Sequence, residues 1–315
     1  MSSTIPSKPV DTGPPSVWPY HTLYLGVKDA LHRLPESFRS PLHIHGVLAT
    51  DLFAFNSSLG ATIEEQVVDA LNGLRGVWDS NGAYDLYAFE RQPQTFPDVV
   101  LRTRVPGMTP PIIMGLELKG WYALAKEGEP SFRYKVTPAV CGPGDLIVIV
   151  PWTLSEVISG SPIVHDPYIT HACFAAEYRN WWWTYGKLWK TGAAPASGPD
   201  PSVDLSSVTQ NYPAKADAIS DQPRSDKGNN FGRFARTGLM DDHIKALFAK
   251  RLCGIPIGCW QQFFKLFTES FDFQDLEAKI GAIEVGEQVP SDLRGTLERV
   301  AAVLMELAQR IGRRG

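Results

Sequence analysis

Two acids and a lysine lie close together in a stretch otherwise made of strand and turn formers. Asp98 follows Pro97, and further along Glu117 and Lys119 flank Leu118. Carboxylates are hard oxygen ligands of the kind Mg2+ takes, one or two at a time, with water and substrate phosphate filling the rest of its shell. An ion held there would polarise a phosphoryl oxygen and help ionise a water. An ammonium beside it would orient that water, or meet the negative charge that builds on the phosphoryl group. Such a trio at one spot is equipped to hydrolyse a phosphodiester.

The neighbouring residues are those that would position it. Val99, Val100 and Leu101 follow the aspartate, while Ile112, Ile113, Met114 and Leu116 lead into the glutamate. Both segments read as strands. Side chains alternate along a strand, so Glu117 and Lys119 share a face that Leu118 does not. The intervening Pro106-Gly107-Met108-Thr109-Pro110-Pro111 is rich in turn formers and suits a hairpin connection. Pairing of the two strands would bring Asp98 to the Glu117/Lys119 pair. Upstream, Leu59, Ile63, Val67, Ala70, Leu71 and Leu74 recur at helical spacing, with Ser57 or Ser58 as the expected cap and Gly73 and Gly76 at the end. At 100° per residue Glu64 flanks the apolar stripe and can look into a cleft, whereas Glu65 faces water; the plainer reading leaves both on the surface. Residues 83–91 read as a first core strand, and Asp145 opens a continuous apolar run, LIVIVPW, that suits a strand covered on both faces. Gln92 and Gln94 are either donors to a phosphate or a metal-bound water, or plain loop residues.

Pro97-Asp98 followed by Glu117-x-Lys119 on an apolar strand resembles the PD-(D/E)xK nuclease superfamily, which includes many type II restriction endonucleases. The resemblance covers roughly residues 55–152. It implies an α/β fold with a restriction-endonuclease-like αβββαβ core on a mixed sheet, here with an added C-terminal helical region. The helix that usually precedes the last core strand is weak in this chain. The resemblance further implies Mg2+ held by Asp98 and Glu117 with Glu64 assisting, Lys119 orienting or activating the nucleophile, and double-stranded DNA as substrate. A two-fold homodimer would match a palindromic site, and a companion methyltransferase acting on the same DNA site would be a possible associate. Two alternatives stay open: a repair or structure-specific nuclease of the same superfamily, and a catalytically silent nucleic-acid-binding protein.

Composition bounds these expectations. The chain has 315 residues, 43% hydrophobic, with a formal net charge of −4, so it lacks the basic bias common among nucleic-acid binders. Local charge can still differ from the sum. Four cysteines form no Cys-x-x-Cys pair and no zinc-type array with histidine. There is neither a signal-peptide pattern nor a membrane-length apolar run, so the expectation is a soluble cytoplasmic protein. The expected organisation is a flexible tail over 1–17, a nuclease-like core over 18–190, a linker or long surface loop over 191–228, and a helical region over 229–315 that contacts DNA or dimerises. That last region has a positive excess (Arg233, Arg236, Lys245, Lys250 and Arg251 against Asp241 and Asp242) and ends in an apolar-striped helix over 296–314. His43 and His45, two apart, read as a strand face rather than metal ligands. Trp181, Trp182 and Trp183 read as an element between two layers, with a base-stacking surface as the alternative.

Overall fold

The computed structural model describes residues 7–46, 54–92, 95–186, 220, 222 and 231–269. Gln94, most of the expected linker and the expected helix over 296–314 lie outside the described residues.

The chain is a mixed α/β structure built on one sheet. Helices α1 (His21–His32), α2 (Leu34–Ser37), α3 (Phe55–Gly73) and α4 (Arg75–Trp78) come first. Strands β1 (Tyr87–Arg91), β2 (Val99–Thr103) and β3 (Ile112–Tyr122) follow as an antiparallel meander. Strand β4 (Leu146–Leu154) lies parallel to β3, and its far edge pairs antiparallel with both β5 (Pro162–Val164) and β6 (Tyr168–His171). Helix α5 (Ala172–Trp181) leads into a π-helical turn over Trp182–Gly186. After it come α6 (Asp241–Ala249), the small hairpin β7 (Arg251–Leu252) and β8 (Ile255–Pro256), and α7 (Ile257–Glu269).

The parallel connection between β3 and β4 holds no α-helix. Residues 123–145 contain a short 3-10 turn, Pro138–Val140, and two isolated bridges, Arg133 to Arg233 and Val136 to Ser220. The αβββαβ expectation needs a helix there; without an apolar stripe of helical period, this segment instead crosses as an irregular layer fixed by buried Tyr134, Val136 and Val140.

Every residue of β4 is buried. Full burial of its aliphatic side chains contributes roughly 1.5–3 kcal/mol each, but it cannot choose a register, because no face of the strand would be exposed by a slip of one residue. Asp145 does that. Its Oδ1 accepts the Gly115 N–H at 2.8 Å and its Oδ2 the Gly142 N–H at 2.6 Å, just before the Leu116–Leu146 pair begins the β3–β4 ladder.

Helix α3 lies against β3 and β1, burying Ile63, Val67 and Leu71 at intervals of one turn. It starts earlier than expected, at Phe55. Ala54 occupies the N-cap without a side-chain bond, and Ser58 Oγ donates back to the Ala54 carbonyl at 3.0 Å instead of capping. Its C-terminal end covers the outer edge of β1. Asn72 bonds both backbone groups of Phe89, at 2.9 Å each, and Arg75 donates to the carbonyls of Tyr84 and Tyr87. In α1 the buried stripe is Leu23, Tyr24, Val27, Ala30 and Leu31. Leu25 is 52% exposed, since two positions from Val27 is about 200° around the helix.

In the segment expected as a flexible tail, the described Asp11 accepts from Thr170 Oγ1 at 3.0 Å and the His171 N–H at 3.2 Å. Of the three consecutive tryptophans, Trp183 is buried near Phe231 and the other two are half-buried. His43 and His45 pack edge to face, with His43 Nδ1 3.5 Å from Ser161 Oγ. No described helix is long and apolar enough to cross a membrane.

Candidate active site where two strands part

Continuing the β2–β3 register by one residue beyond Val99–Leu116 sets Asp98 opposite Glu117. Directly opposed residues of an antiparallel pair project from the same face, so the two carboxyls are neighbours, with Lys119 one alternation further along. Beyond this point β2 no longer pairs with β3. The β3 edge that it vacates still offers N–H groups at Leu118 and Gly120, and carboxylates take them. Leu118 donates to Asp98, and Gly120 donates to Glu64 Oε1 at 3.0 Å. The site is therefore a place where side chains replace a missing strand.

Of the two glycines at the site, one is required for a close approach. A Cβ at Gly115 would lie 2.0 Å from Pro97 Cγ, so only glycine lets the Pro97 ring rest on β3 immediately before Asp98. At Gly120 an added Cβ would meet the Gly60 carbonyl of α3 at 3.5 Å, an ordinary contact. On the other side Gln92 ties β1 to the site: its N–H donates to the Asp98 carbonyl at 2.7 Å and its side-chain Nε2 to the Pro97 carbonyl at 2.9 Å. Gln92 thus holds the Pro-Asp backbone in place.

Glu64 enters from α3. Its Oε1 also lies 3.5 Å from Lys119 Nζ, and its Oε2 lies 3.3 Å from Arg91 Nη2. All four residues of the expected site, Glu64, Asp98, Glu117 and Lys119, are thus brought together. Arg91, at the end of β1, joins them.

The electrostatics follow from crowding three carboxyls in a partly closed space. Burial, then the neighbouring Glu64, pushes the Asp98 carboxyl up to about 7, against the opposing pull of Arg91, Lys119 and the Leu118 N–H. Burial first, and Asp98 second, holds the Glu117 carboxyl well above the usual range. Two such neighbours resist ionising together and retain a proton between them near neutral pH. Glu117 Oε2 is shut off from solvent and has no hydrogen-bond partner among the described residues. An oxygen in that state is one that a proton or a cation would satisfy.

Among the described residues, no group of three or more His, Cys, Asp and Glu side chains is arranged to enclose a metal. The donor set that does fit is the Asp98–Glu117 pair. That suits an ion which keeps several waters and takes only one or two protein carboxylates. Glu64, with both oxygens directed at N–H donors and cations, stands beside the pair.

Sequence reasoning did not single out Arg91 or Asp145 for these positions. Arg91 could have been suspected as a cation at a strand end one residue before Gln92. Asp145 could have been suspected as an acid directly before an all-apolar strand.

Comparison with known proteins gives no match to this chain among family models, curated proteins or solved structures.

Proposed function

We propose that the chain is a Mg2+-dependent DNA endonuclease of the PD-(D/E)xK type, most simply a sequence-specific type II restriction enzyme. The observation that carries this reading is the Asp98–Glu117 pair, with Glu117 Oε2 lacking a partner and Lys119 on the same face. Helix α3 followed by an antiparallel β1–β2–β3 meander and a parallel β4 supports a restriction-endonuclease-like core, although the β3–β4 crossover departs from that pattern.

In this reading Asp98 and Glu117 would hold the ion, which supplies Lewis-acid polarisation of the scissile phosphate and a more acidic water when bound. Glu64 completes the acidic trio from the helix side. Lys119, held 3.5 Å from Glu64 Oε1, points its ammonium at the same space. There it orients the attacking water or meets the charge on a non-bridging phosphate oxygen. Gln92 and Pro97 fix the backbone that carries Asp98. The alignment of water, phosphorus and leaving oxygen needed for in-line displacement depends on this rigidity. Double-stranded DNA is the substrate, a homodimer would cut both strands of a palindrome, and a companion methyltransferase would mark the same site.

The test is digestion of mixed plasmid and phage DNA, methylated and unmethylated, with and without Mg2+, by the wild type and by Asp98→Ala. Discrete Mg2+-dependent fragments that are absent with the variant are expected. A smear would move the reading to a repair or structure-specific nuclease. No cleavage of any of these substrates by the wild type would refute it.

A further inference from the structure

Three carboxyls and two cations meet at this site. The positive charges that act on Asp98 are Lys119 and Arg91. A phosphodiester approaching so acidic a place needs cationic donors with capacity to spare, and the two cations differ in what they have left. Lys119 is a point charge whose ammonium already faces Glu64. Arg91 offers a planar fork of five N–H donors. It uses single contacts, both long: Nη1 to the Ala61 carbonyl at 3.3 Å and Nη2 to Glu64 Oε2 at 3.3 Å. The same fold shows what a committed arginine–carboxylate pair looks like. Arg104 grips Glu90 through Nε at 2.8 Å and Nη2 at 2.9 Å, one nitrogen to each oxygen. Arg91 makes no such two-point grip, and among the described residues its Nε has no acceptor. Its side chain is 26% exposed against 13% for Glu64, so the guanidinium is on the solvent side of the pair. Its backbone is fixed by the end of β1, and the next residue is the Gln92 that holds Asp98.

We infer that Arg91 is a phosphate-binding residue of the site: its guanidinium, steadied by Glu64 and Ala61, takes a non-bridging oxygen of the nucleic-acid backbone next to the Asp98–Glu117 pair. The inference rests on the phosphodiesterase reading above. Glu64 then has a role distinct from metal binding, as the carboxylate that keeps Arg91 and Lys119 apart and aimed. A guanidinium that served only as a counter-ion to Glu64 would influence stability and nothing else.

The experiment separates these roles by salt dependence. Binding of a short labelled DNA duplex is measured by fluorescence anisotropy over a range of NaCl concentrations. The proteins are Asp98→Asn, Asp98→Asn with Arg91→Gln, and Asp98→Asn with Arg91→Lys. Loss of one phosphate contact lowers the slope of log K against log salt by about 0.9 and weakens binding uniformly across sequences. The expected result is that drop with glutamine, with a roughly tenfold weaker Kd at low salt, and recovery of the slope with lysine. An unchanged slope overturns the inference even if the glutamine variant is less stable. Mg2+-dependent cleavage by wild-type protein is run alongside. A lowered slope without wild-type cleavage defeats the nuclease reading and leaves the phosphate contact standing. Wild-type cleavage with an unchanged slope does the reverse. A failure of the Asp98→Asn protein, which retains Arg91, to bind duplex overturns the inference, and wild-type cleavage alone then decides the nuclease reading.

Discussion

Replacing Asp98 by asparagine removes a carboxyl that the fold pushes up from 3.8 to about 7. An acid whose folded pKa is raised favours the folded state while it is protonated. That stabilisation is complete below its unfolded pKa and is lost as pH rises through the folded value. The whole shift corresponds to about 4 kcal/mol, and more than half of it falls between pH 5 and 7. Asparagine does not titrate, keeps an oxygen for the Leu118 N–H, and can turn its amide toward the partnerless Glu117 Oε2. Urea unfolding without divalent metal, at about pH 5 and about pH 8.5, reads the difference directly. Wild type should lose roughly 2–3 kcal/mol relative to Asp98→Asn between the two conditions. Mg2+ at the higher pH should return stability to wild type and not to the variant, since an ion that binds only the folded state stabilises it. Parallel pH profiles for the two proteins would refute the argument that the pair is held protonated by burial and mutual repulsion.

Other perturbations test neighbouring parts of the site. Gly115→Ala should cost at least 1–3 kcal/mol by thermal unfolding, as overpacking does, because its methyl would collide with Pro97, whereas Gly120→Ala should be near neutral. Asp145→Ala leaves two buried N–H groups without their acceptor and should cost about 2–5 kcal/mol. If it also shifts the β3–β4 register, Mg2+-dependent activity falls further than the stability loss explains. Glu64→Gln keeps the shape but weakens the hold on Lys119 and Arg91; it should lower kcat of DNA cleavage at least tenfold while circular dichroism stays unchanged. Unaltered kcat would remove Glu64 from the working set.

Much of the site could be read from the chain because it depends on short-range rules. Alternation placed Glu117 and Lys119 on one face, the turn formers between Val105 and Pro111 implied that β2 and β3 pair, and helical angle separated Glu64 from Glu65. What could not be read depends on tertiary geometry. That β2 stops pairing at Asp98, so that carboxylates fill the vacated edge of β3, follows from how α3 and Pro97 pack. Asp145 looked like the start of a strand; its grip on Gly115, thirty residues earlier, exists only once β3 and β4 are side by side. The missing crossover helix and the early start of α3 have the same origin. Local patterns set element type well, but where an element begins or is replaced by irregular chain is decided by what it lies against.

The Asn72 and Arg75 side chains along β1 bear on how this molecule can assemble. An amide bonded to both polar groups of Phe89 imitates the next strand of the sheet, and the guanidinium occupies the carbonyls on either side of Leu86. A second copy cannot extend the sheet through that border without first displacing both, so shared-strand dimers and fibril-like stacking are disfavoured there. If two copies come together to read a palindrome, their contact must be made by side chains or across a different margin of the fold. A partner interface that left β1 untouched would then be free to evolve separately from the strand carrying Arg91 and Gln92 to the site.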